Sequence, residues 1–281
     1  MKARILSTVV LCLLLIGTLL NGGISGGVLL LVICSALAQL EFYQLSEKIG
    51  WKPHKKSATL LGTMVLWGSF FSREGMVDLN YVLSALALIF LTFALSLLLT
   101  GKPEDLKNIF IPTVFGILYI PTMFCIPLLF IKKFLLLGES ILALRLVLWI
   151  ITVAKFSDIG GLLIGRRWGK HRLAPLFSPA KTYEGLVGSL LFSVAVGYIF
   201  ALCCSDAWPS SFSKVKIAFL SVLIALLALI SDLIESGFKR LAKVKDSGHS
   251  IPGIGGVLDL MDSLILSLPI GVIVLKEFIL V

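Results

Sequence analysis

The stretch IAFLSVLIALLALISDLIESGFKRLAKVKDSGHSIPGIGGVLDLMDSLILSLPIGVIVL, Ile217–Leu275, decides the fold. Its first fourteen residues, Ile217 to Ile230, carry no charge and are long enough to begin a helix across a bilayer. They lead into Asp232 and Glu235, then into a basic run of Lys239, Arg240, Lys243 and Lys245. A turn rich in glycine follows (Pro252, Gly253, Gly255, Gly256), and Asp259 and Asp262 open a second apolar segment. A carboxylate held at mid-bilayer costs roughly 2.5–3.5 kcal/mol on insertion scales, and less near the interface. Four of them beside a basic, glycine-rich loop look like a site for a metal and a phosphate.

Working outward, the 281 residues are 58% hydrophobic with a mean hydropathy of +1.02, against about 45–50% apolar in an ordinary soluble domain. That composition fits an all-α, polytopic integral membrane protein. Nine apolar runs can be read: Ile5–Leu20, Gly26–Leu45, Ala58–Phe71, Tyr81–Leu99, Ile109–Ile131, Ile141–Phe156, Leu186–Cys204, Ile217–Ile234 and Val257–Leu275. They predict about nine transmembrane helices. Ala58–Phe71 and Ile141–Phe156 are shorter than the ~20 residues a perpendicular span needs, which predicts tilt, a kink or a re-entrant course. Met1–Leu20 resembles a signal peptide, but no small-x-small site precedes Asn21 and a second apolar run follows at once, so an uncleaved first helix is expected.

The net charge of +9 is a topology signal and not a nucleic-acid footprint; no nucleic-acid partner is expected. With nine spans, one side holds Lys2, Arg4, Lys48, Lys52, Lys55, Lys56, Lys102, Lys107, Arg166, Arg167, Lys170, Arg172, Lys181, Lys239, Arg240, Lys243 and Lys245, seventeen of the 25 Lys and Arg. The positive-inside rule assigns that side to the cytoplasm. This predicts a multi-pass protein of the cell (inner or plasma) membrane with its site facing the cytoplasm. The five cysteines (Cys12, Cys34, Cys125, Cys203, Cys204) lack metal-ligand spacing and read as small hydrophobes.

Three regions organise the chain: 1–108, N-terminal helices for anchoring and for subunit contact that leaves a homodimer open; 109–156, middle helices; and 157–281, a catalytic region with cytoplasmic loops. The first half is poor in chemistry. Trp51–Lys56 reads as an interfacial anchor, Pro112, Pro121 and Pro127 as kinks in one helix, and Glu41 as a capping or snorkelling residue. The second half differs. Lys155 and Asp158 lie within one turn, followed by Gly160, Gly161, Gly165, Arg166, Arg167, Gly169 and Lys170, then Pro175, Ser178, Pro179, Lys181, Thr182, Glu184 and Gly185. Glycine lets backbone N–H groups approach phosphate, and Lys or Arg supply the charge. Small residues also pack helices in membranes, so both readings stay open for this block. Asp232 with Glu235, and Asp259 with Asp262, are each three apart and share a helix face. Two such faces would make a hard-oxygen site suited to Mg²⁺; for Glu235, pairing with the nearby basic run is an equal alternative.

At these residues the chain resembles the phosphatidate cytidylyltransferases (CDP-diacylglycerol synthases). Their C-terminal signature falls on Ser236, Lys239, Arg240, Lys245, Asp246, Pro252, Gly255, Gly256, Asp259 and Asp262 at the same spacing. A second block falls on Gly165, Arg166, Gly169, Lys170, Ser178, Pro179, Lys181, Thr182, Glu184 and Gly185, and a further family Asp falls on Asp232. The match covers roughly residues 154–265. It departs at two positions: Ile254 stands where the family has His, and Leu260 where it has Arg.

The resemblance implies the reaction of CTP with phosphatidate to CDP-diacylglycerol and pyrophosphate, within phospholipid biosynthesis. It implies Asp232, Asp259, Asp262, Lys239 and Arg240 as catalytic residues, and Mg²⁺ on Asp232, Asp259 and Asp262, with a second cation left open. Lys170, Ser178, Lys181, Thr182, Glu184, Lys245, Gly255 and Gly256 would bind substrate, and the acyl chains would enter from the surrounding membrane lipids. A CTP-dependent polyprenol or phytol kinase shares the architecture and stands as the alternative. A cation-coupled transporter also uses intramembrane carboxylates, but transporters commonly show paired halves with broken helices in corresponding positions, whereas here the charge is concentrated in one half.

Overall fold

A computed structural model describes residues 2–71, 79–100, 102–204, 209, 212–253 and 255–280; Ile254 lies outside them. The chain is an all-α membrane protein, with one small β-hairpin among the described residues. Six helical stretches among the described residues are long and apolar enough to cross a membrane: Ile16–Ile49, Leu106–Leu136, Ile141–Trp168, Tyr183–Cys203, Lys214–Leu241 and Val257–Phe278, with a shorter apolar helix at Val82–Leu95. Large apolar side chains such as Leu162, Leu163, Leu191, Ile199 and Phe219 are exposed on these helices, as lipid-facing residues are.

Two compact units make up the chain. The first comprises Met1–Leu129 and Phe238–Met261. Helix α1 (Lys2–Ile49) breaks at Gly23, whose φ of 57° and ψ of −147° are not helical. The apolar runs Ile5–Leu20 and Gly26–Leu45 fall on either side of this break. The turn is tight: a side chain at Gly26 would come within 2.5 Å of the Thr18 carbonyl oxygen. Helices α2 (Lys55–Phe71) and α3 (Leu79–Thr100) follow, then a turn α4 (Pro103–Asp105) and a π-helical turn at Leu106–Phe110.

Helix α5 (Ile111–Tyr119) gives way to α6 (Pro121–Leu136) at Ile120. Pro121 has no N–H to give the ladder, and the flanking bonds Ile120 N–H to Gly116 and Phe124 N–H to Ile120 are stretched to 3.4 Å. A proline bend of this kind agrees with the kink expected there; Pro127 lies further along α6. The interior of this unit is aromatic and hydrogen-bonded. Tyr43 donates to the Thr113 carbonyl at 2.8 Å, and Gln39 Nε2 donates to the Ala58 carbonyl at 3.2 Å. Phe42 packs edge-on against Phe238 with ring centroids 5.2 Å apart.

The second unit comprises Phe130–Gly237 and Asp262–Val281. Helix α7 (Ser140–Trp168) continues well past the apolar run Ile141–Phe156, carrying Lys155, Asp158 and the glycines on one 29-residue helix. Strands β1 (Arg172–Ala174) and β2 (Ser178–Thr182) form an antiparallel hairpin, with Arg172 opposite Thr182 and Ala174 opposite Ser178. Helix α8 (Tyr183–Cys203) then returns along α7, followed by α9 (Lys214–Leu241), whose last residues belong to the first unit. A short α10 (Val257–Met261) and α11 (Leu264–Leu280) complete the chain.

Backbones of α7 and α8 nearly touch. A Cβ on Gly185 would sit 2.9 Å from the Gly161 carbonyl oxygen, and one on Gly165 would sit 3.3 Å from the Gly185 Cα. On α8, Gly188 faces the Gly160 carbonyl and Ile164. Small residues at a membrane helix interface allow this approach, and dispersion contacts reward it. The same device recurs deeper, where Trp149 Nε1 donates to the Gly197 carbonyl at 3.0 Å and Gly271 lies against Ile150 and Ile224. Of the two readings open for the glycine-rich block, helix packing accounts for Gly160, Gly161, Gly165 and Gly185.

Because a Cβ at Gly188 would meet the Gly160 carbonyl oxygen and Ile164 Cβ, each at 2.7 Å, Gly188→Val should destabilise the protein by about 1–3 kcal/mol. The measurement is thermal unfolding in detergent, with an outward-facing Leu191→Val variant as the reference.

Candidate active site

In the second unit three carboxylates converge. Asp232 and Glu235 stand one turn apart on α9, and Asp262 opens the turn before α11; one oxygen from each lies within 4.8 Å of the others. Glu235 is 1% exposed. Two lysines from other elements flank the group. Lys181, at the end of β2, pairs with Asp232 Oδ2 at 2.8 Å, while Ser236 Oγ donates to Asp232 Oδ1 at 3.1 Å. Lys155 on α7 lies 3.9 Å from Asp262 Oδ1 and donates to Ser263 Oγ at 2.8 Å.

Asp262 is oriented by its neighbours: the Ser263 N–H donates to its Oδ1 at 2.5 Å, and Ser231 Oγ donates to its carbonyl. Asp158 lies within electrostatic reach of Lys155, Lys181, Asp232 and Asp262. Three hard oxygen donors at this separation, two on α9 and one in the turn before α11, have the chemistry of a divalent-cation site and fit Mg²⁺. Like charges so close repel, and a bound cation relieves that repulsion.

The hairpin that delivers Lys181 is tied to the start of α8. Thr182 caps that helix, its Oγ1 accepting the Gly185 N–H at 3.1 Å. Glu184 reaches back to accept from the N–H groups of Lys170 at 3.0 Å and His171 at 3.2 Å, and it contacts His171 Nδ1 at 2.7 Å. Thr182 and Glu184, expected at the substrate, are thus engaged in holding the hairpin; Gly169 also packs on Thr182, as a Cβ there would lie 2.7 Å from its Oγ1. Lys170 is exposed beside Arg166, Arg167 and Arg172, and Ser178 is half-buried at the start of β2.

In the first unit Asp259 and Lys239 form a pair at 2.8 Å, both side chains nearly buried. Asp259 Oδ2 also accepts the Ser247 N–H and Oγ–H, each at 2.8 Å, and the Gly256 N–H at 2.7 Å. The loop that supplies these donors starts with a left-handed residue closing α9. Lys243 has φ 55°, its N–H bonds the Arg240 carbonyl, and the Val244 N–H bonds the Lys239 carbonyl at 2.9 Å. This is a Schellman ending with lysine in place of the usual glycine.

The loop then folds on itself through Ile251 and Gly255, and Gly255 needs its φ of 126° for that. Lys245 and His249 are exposed on it, Arg240 is exposed at the helix end, and Leu260 is half-buried. Asp232, Glu235 and Asp262 therefore belong to the cluster of one unit, and Asp259, Lys239 and Gly256 to that of the other.

Two roles were not visible beforehand. Ser247 holds the Asp259 carboxylate, the Ser263 N–H holds that of Asp262, and Ser231 holds the Asp262 backbone carbonyl; none of the three serines stands in a distinctive sequence pattern. Glu41, 4% exposed in α1, accepts from Ser250 Oγ at 2.5 Å and from the Leu258 N–H at 2.8 Å. An acidic residue in an otherwise apolar segment was its only signal.

With this geometry in place, the comparisons with known proteins are specific. The chain belongs to the cytidylyltransferase family, whose profile matches residues 2–278. It is 36% identical over 127 residues to the phosphatidate cytidylyltransferase of Staphylococcus saprophyticus, covering 45% of this chain and 47% of that one. It is 37% identical over 126 residues to that of Haemophilus influenzae, covering 45% and 44%. The chain spans about half the length of the curated relatives it matches.

Removing the cap should loosen the hairpin that carries Lys181. Thr182→Ala is expected to cost about 1 kcal/mol of stability, and Glu184→Ala to speed tryptic cleavage at Arg172. Thermal unfolding and limited proteolysis of the detergent-solubilised protein measure the two effects.

Proposed function

We propose that the protein transfers the cytidylyl group of CTP to phosphatidate, forming CDP-diacylglycerol and pyrophosphate at the cytoplasmic face of the cell membrane. The observation that carries this reading is the Asp232, Glu235 and Asp262 group flanked by Lys155 and Lys181, set in a membrane protein of the cytidylyltransferase family. The relatives named above are called phosphatidate cytidylyltransferases, and the excess of Lys and Arg on one side supports the orientation.

In the reaction a phosphate oxygen of the lipid attacks the α-phosphorus of CTP, a new P–O bond forms, and the bond to the bridging oxygen breaks as pyrophosphate leaves. The nucleophile is already anionic, so no residue has to remove a proton. The protein's work is to bring two polyanions together in line, by positioning and by electrostatic compensation. Mg²⁺ held by Asp232, Glu235 and Asp262 would neutralise phosphate charge and polarise the reacting phosphoryl group. Lys181 and Lys155 keep the carboxylates apart and aimed. By the family resemblance, Lys170 in the second unit and Lys239 and Arg240 in the first would each offer positive charge to a substrate phosphate. Acyl chains remain in the bilayer, which suits a polar group at the end of apolar helices.

Purified protein incubated with radiolabelled CTP, phosphatidate and Mg²⁺ should yield lipid-extractable cytidine and one pyrophosphate per turnover, and EDTA should abolish both. Asp262→Asn should fall to background while keeping its thermal stability. Release of CDP with a phosphorylated lipid would replace this reading with that of a lipid kinase, and near-normal turnover in Asp262→Asn would remove the metal assignment.

A further inference from the structure

We propose that Glu41 is a positioning residue for the reaction, pinning the 247–258 loop so that Asp259 and Lys239 keep their geometry. The assignment rests on the transferase reading above for its effect on turnover, but the pin itself is read from contacts within the first unit. Glu41 sits in α1, more than two hundred residues away in sequence, and its carboxylate is buried. Among the described residues its donors come from one short segment, Ser250 Oγ at 2.5 Å and the Leu258 N–H at 2.8 Å, with Ser247 Oγ, whose hydrogen goes to Asp259, 3.5 Å away. A carboxylate removed from water is costly unless its lone pairs are filled, and here neutral donors of the loop fill them. Separating loop from carboxylate would leave both sides unsatisfied, so the loop is held in one place.

Two further observations tie the pin to the Asp259 group. Backbone is pressed directly onto the carboxylate, since a side chain at Gly248 would come within 2.6 Å of Glu41 Oε1, and one at Gly256 would strike Oε2. The loop elements that meet Glu41 are also those that grip Asp259. Ser247 Oγ lies between the two acids, 2.8 Å from Asp259 Oδ2, and the Gly256 N–H donates to the same oxygen at 2.7 Å. Asp259 Oδ1 is thereby left to Lys239. Glu41 acts on Asp259 and Lys239 through Ser247, Gly256 and the start of α10.

The test compares the full-length wild type with Glu41→Ala, Glu41→Gln and Ser250→Ala, using hydrogen exchange of the 247–258 amides beside steady-state kinetics. In Glu41→Ala those amides should exchange about tenfold faster or more while α7 and α8 stay protected. Its kcat should fall about tenfold to a hundredfold, with the KM for phosphatidate within about twofold of wild type. Glu41→Gln keeps an acceptor for the Leu258 N–H and can donate to Ser250 Oγ, so it should restore loop protection and most of the turnover. Ser250→Ala should show a weaker form of both losses, and it decides the matter if Glu41→Ala does not fold.

Wild-type protection of the loop in Glu41→Ala overturns the proposal, as does a loosened loop with unchanged kcat. A folded Glu41→Gln as impaired as Glu41→Ala overturns it too. Absence of transferase activity in the wild type would instead remove the functional reading, and the exchange measurement would then decide by itself whether Glu41 holds the loop.

Discussion

The second unit depends on the backbone-to-backbone contact of α7 and α8. In lipid, apolar side chains gain nothing from meeting each other in preference to acyl chains, so helices associate through close packing and hydrogen bonds. Gly160, Gly161 and Gly165 on one helix and Gly185 and Gly188 on the other permit that approach. The consequences run outward from it. Lys155 and Asp158 ride on α7, the hairpin leaves its end and Thr182 starts α8, so Lys181 arrives at Asp232 on a scaffold fixed by glycine contacts. Bilayer-facing positions such as Leu162 and Leu191 require only apolarity. The shape of the unit is set by its smallest side chains.

Much of this was legible in the chain. The length and polarity of Ile217–Leu275 announced membrane helices ending in acidic residues, and the i, i+3 spacing of Asp232 and Glu235 put both on one face. Proline at position 121 marked the bend between α5 and α6. Other features were hidden for physical reasons. Helix α7 runs through Asp158 and its glycines because partners in other elements compensate them, which local hydropathy does not record. Glycine serves equally for a phosphate cradle and for a helix crossing, and only the position of α8 separates the two at Gly161 and Gly165. Thr182 and Glu184 have the polarity of ligand-binding residues, yet Thr182 accepts the Gly185 N–H at the start of α8 and Glu184 accepts the Lys170 and His171 N–H groups ahead of the hairpin. The contact of Glu41 with Ser250 joins residues far apart in sequence, and no periodicity encodes such a pair.

Short hydroxyl side chains recur at three of the carboxylates. Ser236 donates to Asp232, Ser247 to Asp259, and Ser250 to Glu41. A serine hydroxyl supplies a donor without adding a charge to an apolar interior, and it loses little rotamer freedom in doing so. Lysine enters where net charge must also be offset, as at Lys181 and Lys239. Burial would make an isolated acid expensive; these combinations allow several to persist at the ends of apolar helices.

Lys239 holds both ends of one segment. Its carbonyl accepts the Val244 N–H that closes α9, and its ammonium meets Asp259 beyond the glycine turn. Residues 244 to 259 thus form a ring whose two ends are tied to a single residue. Closure entropy rises slowly with length, by only about 0.6 kcal/mol for each doubling of a flexible loop. Extra residues at its exposed Pro252–Gly253 turn, outside the stretch that meets Glu41, would therefore cost little, whereas a deletion would strain the Lys239 contacts at both ends at once. The ring tolerates growth and resists shortening, which makes its length a lower bound set by geometry.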